Sequence, residues 1–424
     1  METTRPSFLK FKRENASRFL IFFWIGFIIY SAAFTISTTG QVNYVLCNLF
    51  QIIGLFLIIP STIFLIDFRI DEGYLKTVMW LYIIWTISVV IRGFVFDYDT
   101  IKLLLFNAFE SLFIYFVPLI VFFPRNVQHF KKVFLVILIS GLIYVLYSVI
   151  FLKQLLVSYD IKESQDMIEY FSKTLSIPCG FIILTYIYHN RKVNLFALFV
   201  LGLTFFMAVV RARRGLAFLS FFPILVSYIF YLFYSKNTFL KVIFMMLLVI
   251  MITLGFAYSR SIFGYFGQKS STSWFIDRIT QDTRSEVEEY FYQDMKPVDW
   301  IIGKGINGQY YCPGVELGQG RISIFRRGIE TDYLTIILKG GIISLGLILL
   351  LAIPAMIKGF FSSRNLLVKA ASTWILLYLL CLYPAPVTTF TLNYLIVWIS
   401  IGLCYSREIR SLTDDDLIGY FSKK

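Results

Sequence analysis

Ionisable residues are scarce in this chain. Asp, Glu, Lys and Arg make up 15% of 424 residues, and histidine occurs twice. Against that scarcity, apolar stretches of 18 or more residues recur from end to end, which excludes a soluble globular protein. Cysteine is also sparse. Cys47, Cys179, Cys312, Cys381 and Cys404 mostly lie inside apolar runs, so no disulfide framework is expected. No small-residue cleavage site follows the first, span-length apolar run, so a cleavable signal peptide is not expected either.

What is present is hydrophobic: 58% of residues are apolar by type and 19% are aromatic. A span in lipid must satisfy its own backbone hydrogen bonds, so these stretches are expected to be helices. They fall at 19–37, 44–66, 75–95, 101–123, 131–152, 174–189, 193–210, 215–234, 238–258, 331–353, 366–383 and 387–404. The expected fold is therefore an all-α polytopic membrane protein with about twelve transmembrane helices. Helices 1–9 occupy residues 1–258, a large outer loop 259–330, helices 10–12 residues 331–404, and a tail 405–424.

Orientation follows from the short connections. The N-terminal tail METTRPSFLKFKRENASR and the segments PRNVQHFKK, HNRK, SKNTFLK and KGFFSSRNLLVK are basic, as is the C-terminal tail. An even number of spans puts them all on one side, and the positive-inside bias makes that side the cytoplasm. The formal net charge of +13 is read the same way, not as a nucleic-acid surface.

VVRARRG at 209–215 breaks the pattern. It falls on the expected outer side, where STTGQVN carries no basic residue. Arginines at a helix end can snorkel to headgroups. Three together against the bias favour a bound anion, and the planar guanidinium fork suits phosphate. The 259–330 loop lies on the same face. DTRSEVEEYFYQDM is expected to form an amphipathic helix, with Val287, Tyr290, Phe291 and Met295 on one face and Pro297 just beyond it. Glycines from Gly303 to Gly314 permit tight turns or close backbone approach. GKGING lacks the Walker spacing and lies outside, so a nucleotide loop is rejected. Arg326 and Arg327 precede the tenth span, with Glu330 and Asp332 expected in its first turn. Cys312 is expected to be the one cysteine open to a reagent from outside.

RARRG at 211–215, Arg284 with its helix, GKGING at 303–308 and ETDYLTIILKGG at 330–341 resemble, in order and sidedness, the O-antigen polymerase and ligase superfamily. The likeness covers roughly 195–345. It implies a metal-independent glycosyltransferase of the membrane C class, without cofactor, facing the outside of the bacterial cytoplasmic membrane. Donor and acceptor would be oligosaccharides on polyprenyl pyrophosphate, and a chain-length regulator and a flippase would be pathway partners. By the same resemblance Arg211, Arg214 and Arg284 contact pyrophosphate, with Arg213 a weaker candidate. Lys304, Arg326, Arg327 and Tyr333 are candidate substrate contacts.

Ligases of that superfamily are associated with an outer histidine near the start of the late span. His129 and His189 both fall in cytoplasmic connections, and Glu330 stands near the expected place, which favours a polymerase. A carboxylate there can take the acceptor hydroxyl's proton. Glu330 and Asp332 are the candidates, although acidic residues at a helix N-terminus also stabilise the dipole. A ligase is the nearest alternative. A transporter or lipid-linked oligosaccharide flippase is the alternative from another class, disfavoured by the lack of internal repeats. Asp97 and Asp99 in DYD, and Asp414 to Asp416 in the tail, are read as solvated. Glu110 lies within the fourth span, with Arg92 or Lys339 as possible partners.

Overall fold

The structure is a computed structural model that describes residues 7–68, 72–124, 127–156, 162–211, 213–234, 284–313, 316–317, 321–322 and 324–422. Among the described residues, seven helices are long and apolar enough to cross a membrane. They lie in α1 (Ser7–Ser37), α2 (Tyr44–Leu65), α3 (Gly73–Gly93), α5 (Val127–Ile150), α9 (Arg191–Val210), α10 (Arg214–Tyr234) and α13 (Asp332–Phe361). Two further apolar helices, α14 (Leu366–Cys381) and α15 (Leu392–Tyr405), are shorter. The expected ninth span, 238–258, lies outside the described residues.

Local chemistry starts and packs these helices. Asn43, Asn190 and Asn365 each accept a backbone N–H of the first turn of α2, α9 and α14. Gly26 and Gly54 let α1 and α2 touch backbone to backbone: a Cβ on Gly26 would lie 2.6 Å from the Gly54 carbonyl oxygen.

The expected fourth span, 101–123, is not one helix. α4 (Tyr98–Phe106) stops, and the chain resumes as two 3-10 turns, Leu112–Tyr115 and Val117–Phe122. The freed carbonyls are met by other elements: Tyr30 donates to Leu105 at 2.9 Å, Gln51 to Phe106 at 2.9 Å, and the Phe390 amide to Ala108 at 2.7 Å. Irregular backbone at membrane depth is tolerated only when buried and satisfied in this way. The expected sixth span, 174–189, is also broken. Following α6 (Leu152–Leu156) and α7 (Lys162–Phe171), the chain widens into a π-turn at Ser172–Ser176, then runs through α8 (Cys179–Leu184) to a 3-10 turn.

Contacts among the described residues gather several connections at each end of the bundle. At one end Lys132 of α5 donates to the Ser17 carbonyl at 2.8 Å, and Lys358 near the end of α13 pairs with Glu72 before α3. Two short tail helices, α16 (Arg407–Ser411) and α17 (Asp414–Ser422), close the same end. Asp414 accepts from Tyr188 at 2.5 Å and from the Leu366 amide at 2.7 Å, so this aspartate is a tie and not a freely solvated charge. At the opposite end Asp97 caps α4, and the late loop folds over the bundle.

That loop has its own small core. α11 (Arg284–Asp294) buries Phe291 against Met295, Tyr310, Cys312, Leu334 and Leu338, as its apolar face predicts. α12 (Pro297–Ile302) follows, then β1 (Tyr310–Tyr311), β2 (Glu316–Leu317), β3 (Arg321–Ile322) and β4 (Phe325–Arg326). β1 pairs with β4 and β2 with β3, both antiparallel. Cys312 is fully buried in this core, so the expected reagent-accessible thiol is not available.

Candidate functional site

The arginine cluster sits where α9 hands over to α10, and its members do different things. Arg211 is the C-cap of α9, is only 1% exposed, and donates through Nε and Nη2 to the Leu155 carbonyl at the end of α6. Arg213 bridges Asp166 at 3.0 Å and Glu169 at 3.4 Å on α7. Arg214 opens α10 and is exposed, with no salt bridge among the described residues. Arg211 and Arg214 therefore do not share one helix face, because the helix is interrupted between them. Arg284 begins α11, and its side chain lies outside the described residues.

Behind the arginines lies a buried charge that the sequence reading passed over. Lys173 in the π-turn is 2% exposed, pairs with Glu169, and stands 5.8 Å above the Phe109 ring. A π-turn displaces one side chain from the helical register, and such turns are common at functional sites. The polar run KESQDMIEYFSK at 162–173 was the available signal. Lys173 also lies within electrostatic range of Asp332.

The start of α13 separates the two candidate carboxylates. Glu330 is exposed and precedes the N-cap Thr331, so it lies outside the first turn where it was expected. Asp332 is 2% exposed and its Oδ2 accepts the amides of Val387 at 3.1 Å and Thr388 at 2.8 Å. It holds the YPAPVTT connection onto α13. Thr331 donates to Glu288 of α11, which ties the loop helix to the same point. Tyr333 is half-buried, and its amide bonds the Leu382 carbonyl at 3.1 Å.

GKGING is a clamp between two spans. α13 breaks at Gly341, whose φ of 69° is left-handed, and a Cβ there would lie 1.9 Å from the Ile301 carbonyl oxygen. Near the break, Leu338 and Lys339 offer carbonyls to the amides of Lys304 at 2.7 Å and Gly305 at 2.8 Å. Trp85 of α3 donates to the Gly340 carbonyl at 3.0 Å. From the other side, Arg92 donates to the Ile302 and Gly303 carbonyls at 2.8 and 3.2 Å, and Asn307 to that of Gly93 at 2.7 Å. The close approach that the glycines permit is thus to the protein's own backbone.

The remaining candidates divide likewise. Lys304 pairs with Asp294 and donates to the Gln309 carbonyl at 3.2 Å, binding the loop together. Arg326 lies opposite Tyr310 in the β1–β4 pair. Burial pushes the Tyr310 hydroxyl up to about 12, with Arg326 pulling the other way, so it stays protonated. Arg327 is half-buried and has no salt bridge among the described residues. Glu110 sits in the unwound part of the fourth span, half-buried and within electrostatic range of Lys339. Of its two expected partners, Arg92 is instead committed to the loop carbonyls.

No protein-family model, curated protein or solved structure matches the chain.

Proposed function

We propose that this membrane protein is a metal-independent glycosyltransferase, a polymerase of O-antigen or a related surface polysaccharide. It transfers a polyprenyl-pyrophosphate-linked glycan chain onto the next lipid-linked repeat unit, on the outer side of a bacterial cytoplasmic membrane. The observation that carries this reading is the meeting of charges from segments far apart in the chain: Glu169 pairs with both Lys173 and Arg213 of the arginine cluster, Lys173 lies within electrostatic range of Asp332, and Glu110 within that of Lys339. Ionisable residues within spans are costly and mark substrate or ion sites.

In this reading Arg211 and Arg213 build the platform and Arg214 meets the ligand. Its guanidinium stabilises the charge that develops on the departing lipid pyrophosphate as the glycosidic bond breaks. Glu330, exposed and a few residues beyond Arg326 and Arg327, takes the proton of the acceptor hydroxyl. Arg284 remains a candidate second pyrophosphate contact. The test is transfer by the full chain in lipid: wild type should extend a lipid-linked repeat into polymer, and Arg214→Ala should leave single repeats. Polymer from Arg214→Ala at the wild-type rate would remove the arginine from the site.

One observation favours the transport reading. Of the three expected spans with broken backbones among the described residues, 101–123 and α13 stand fourth and tenth in the expected order, corresponding places in two halves of six, while the third, 174–189, stands sixth. Paired interruptions of that kind mark the binding sites of transporters. Movement of a lipid-linked repeat across a vesicle membrane, without any new glycosidic bond, would establish the flippase and overturn the polymerase.

A further inference from the structure

The short helix α12 presents two different faces. Trp300 packs into the loop, its ring 5.6 Å from that of Phe291 and 5.9 Å from that of Tyr292 on α11. Val298 and Ile301, three residues apart on another face, are 61% and 55% exposed. We propose that this second face lies in the bilayer surface, so that α12 is an interfacial helix that seats the late loop on the membrane. The proposal depends neither on the polymerase reading nor on which side of the membrane the loop faces.

Depth decides what covers Val298 and Ile301. Helix α3 has 21 residues, a length of about 31 Å, and crossing roughly 30 Å of hydrocarbon takes all of it. Its last turn therefore stands where acyl chains give way to headgroups. The end of α12 is bonded to that turn. Arg92 donates to the Ile302 and Gly303 carbonyls at 2.8 and 3.2 Å, and just beyond them the Ile306 amide bonds the Val89 carbonyl at 3.2 Å. These bonds also satisfy backbone groups that lipid would leave unpaired. A helix fixed at this level cannot stand clear of the membrane. Beside its two attachment points, Ile91 on α3 and Ile342 on α13 are exposed, so the apolar outer surface of both spans continues up to α12.

The polar groups agree with that level. Asp299, the acidic residue of α12, turns back to accept the Lys296 amide at 3.3 Å at the start of the helix. Lys296 itself is exposed there, and a long cationic side chain at this depth reaches lipid phosphates. The same end of the bundle carries exposed Tyr44 and Tyr98, with the Lys102 ammonium 4.5 and 5.9 Å from their rings. Tyrosines in such a belt mark the membrane–water interface. A short helix with its apolar side chains turned outward is stabilised by sinking them into the headgroup–acyl boundary, and it gains nothing from them in water.

The experiment uses the full chain in nanodiscs of phosphatidylethanolamine and phosphatidylglycerol. All five native cysteines are buried, so a nitroxide label goes to a thiol introduced by Val298→Cys or Ile301→Cys, with Glu289→Cys on α11 as the water-facing reference. All three positions are exposed, and the labels displace no packed side chain. Collisions are measured with oxygen, which concentrates among acyl chains, and with a nickel chelate, which stays in water. The ratio of oxygen to nickel collisions at 298 and at 301 should be at least five-fold higher than at 289. A ratio equal to that of the reference would place the face in water and overturn the proposal. Few collisions with either reagent, together with dipolar broadening between labels, would overturn it in favour of a second copy of the chain covering α12.

Discussion

Asp332 and Thr388 are joined across 56 residues of sequence by a 2.8 Å bond from the Thr388 amide to the Asp332 carboxylate, and the Val387 amide shares the same oxygen. Asp332→Ala leaves both amides buried without a partner, and is expected to cost about 3 kcal/mol of stability. Thermal unfolding in detergent measures it. Asp332→Asn keeps an acceptor oxygen and should fold and transfer nearly normally. A folded but inactive Asp332→Asn protein would move the base from Glu330 to Asp332.

Glu330 carries the opposite expectation. It is exposed and precedes the helix, so Glu330→Gln should leave the melting temperature unchanged while lowering the transfer rate by about 100-fold. A variant that makes polymer at the wild-type rate removes Glu330 from the chemistry.

Within the arginine cluster the burial pattern predicts a split. Arg211→Ala deletes a buried cation that caps α9 and holds the Leu155 carbonyl, so little folded protein should be recovered from membranes. Arg214→Ala should accumulate normally and lose about 100- to 1000-fold in rate, the usual effect of removing a donor to developing charge. Lysine at 214 should rescue poorly because it lacks the paired fork. Equal yields of both alanine proteins would contradict the split.

Sidedness is testable with introduced thiols, since all five native cysteines are buried. Phe96 is 89% exposed between α3 and α4, and Lys192 is exposed at the start of α9. In intact cells Phe96→Cys should react with an impermeant maleimide, and Lys192→Cys only after permeabilisation. The reverse pattern would invert the bundle and place the arginine cluster in the cytoplasm.

Hydropathy made most of the bundle legible, because a continuous helix of Leu, Ile and Phe leaves the same apolar run in sequence and in structure. The fourth span shows where that equivalence ends. Residues 101–123 are as apolar as their neighbours, yet Tyr30, Gln51 and the Phe390 amide take over their carbonyls from elements far away in sequence. An apolar count carries no record of such bonds. The candidate site was legible as a set of residues but not as roles. Arg211 and Arg214 belong to one motif, and only burial separates the support from the group left facing outward. Asp332 was ambiguous for the same reason, since a capping carboxylate and a catalytic one are spelled alike.

The break at Gly341 has a consequence for biogenesis. The groups that hold the carbonyls of Leu338, Lys339 and Gly340 are Trp85 and the amides of Lys304 and Gly305, all earlier in the chain. During synthesis the donors therefore emerge before the acceptors they serve. α13 carries backbone groups that lipid cannot satisfy, and finds their partners only if α3 and the loop are already in place. The last quarter of the protein is thus built onto a template made by the first three quarters.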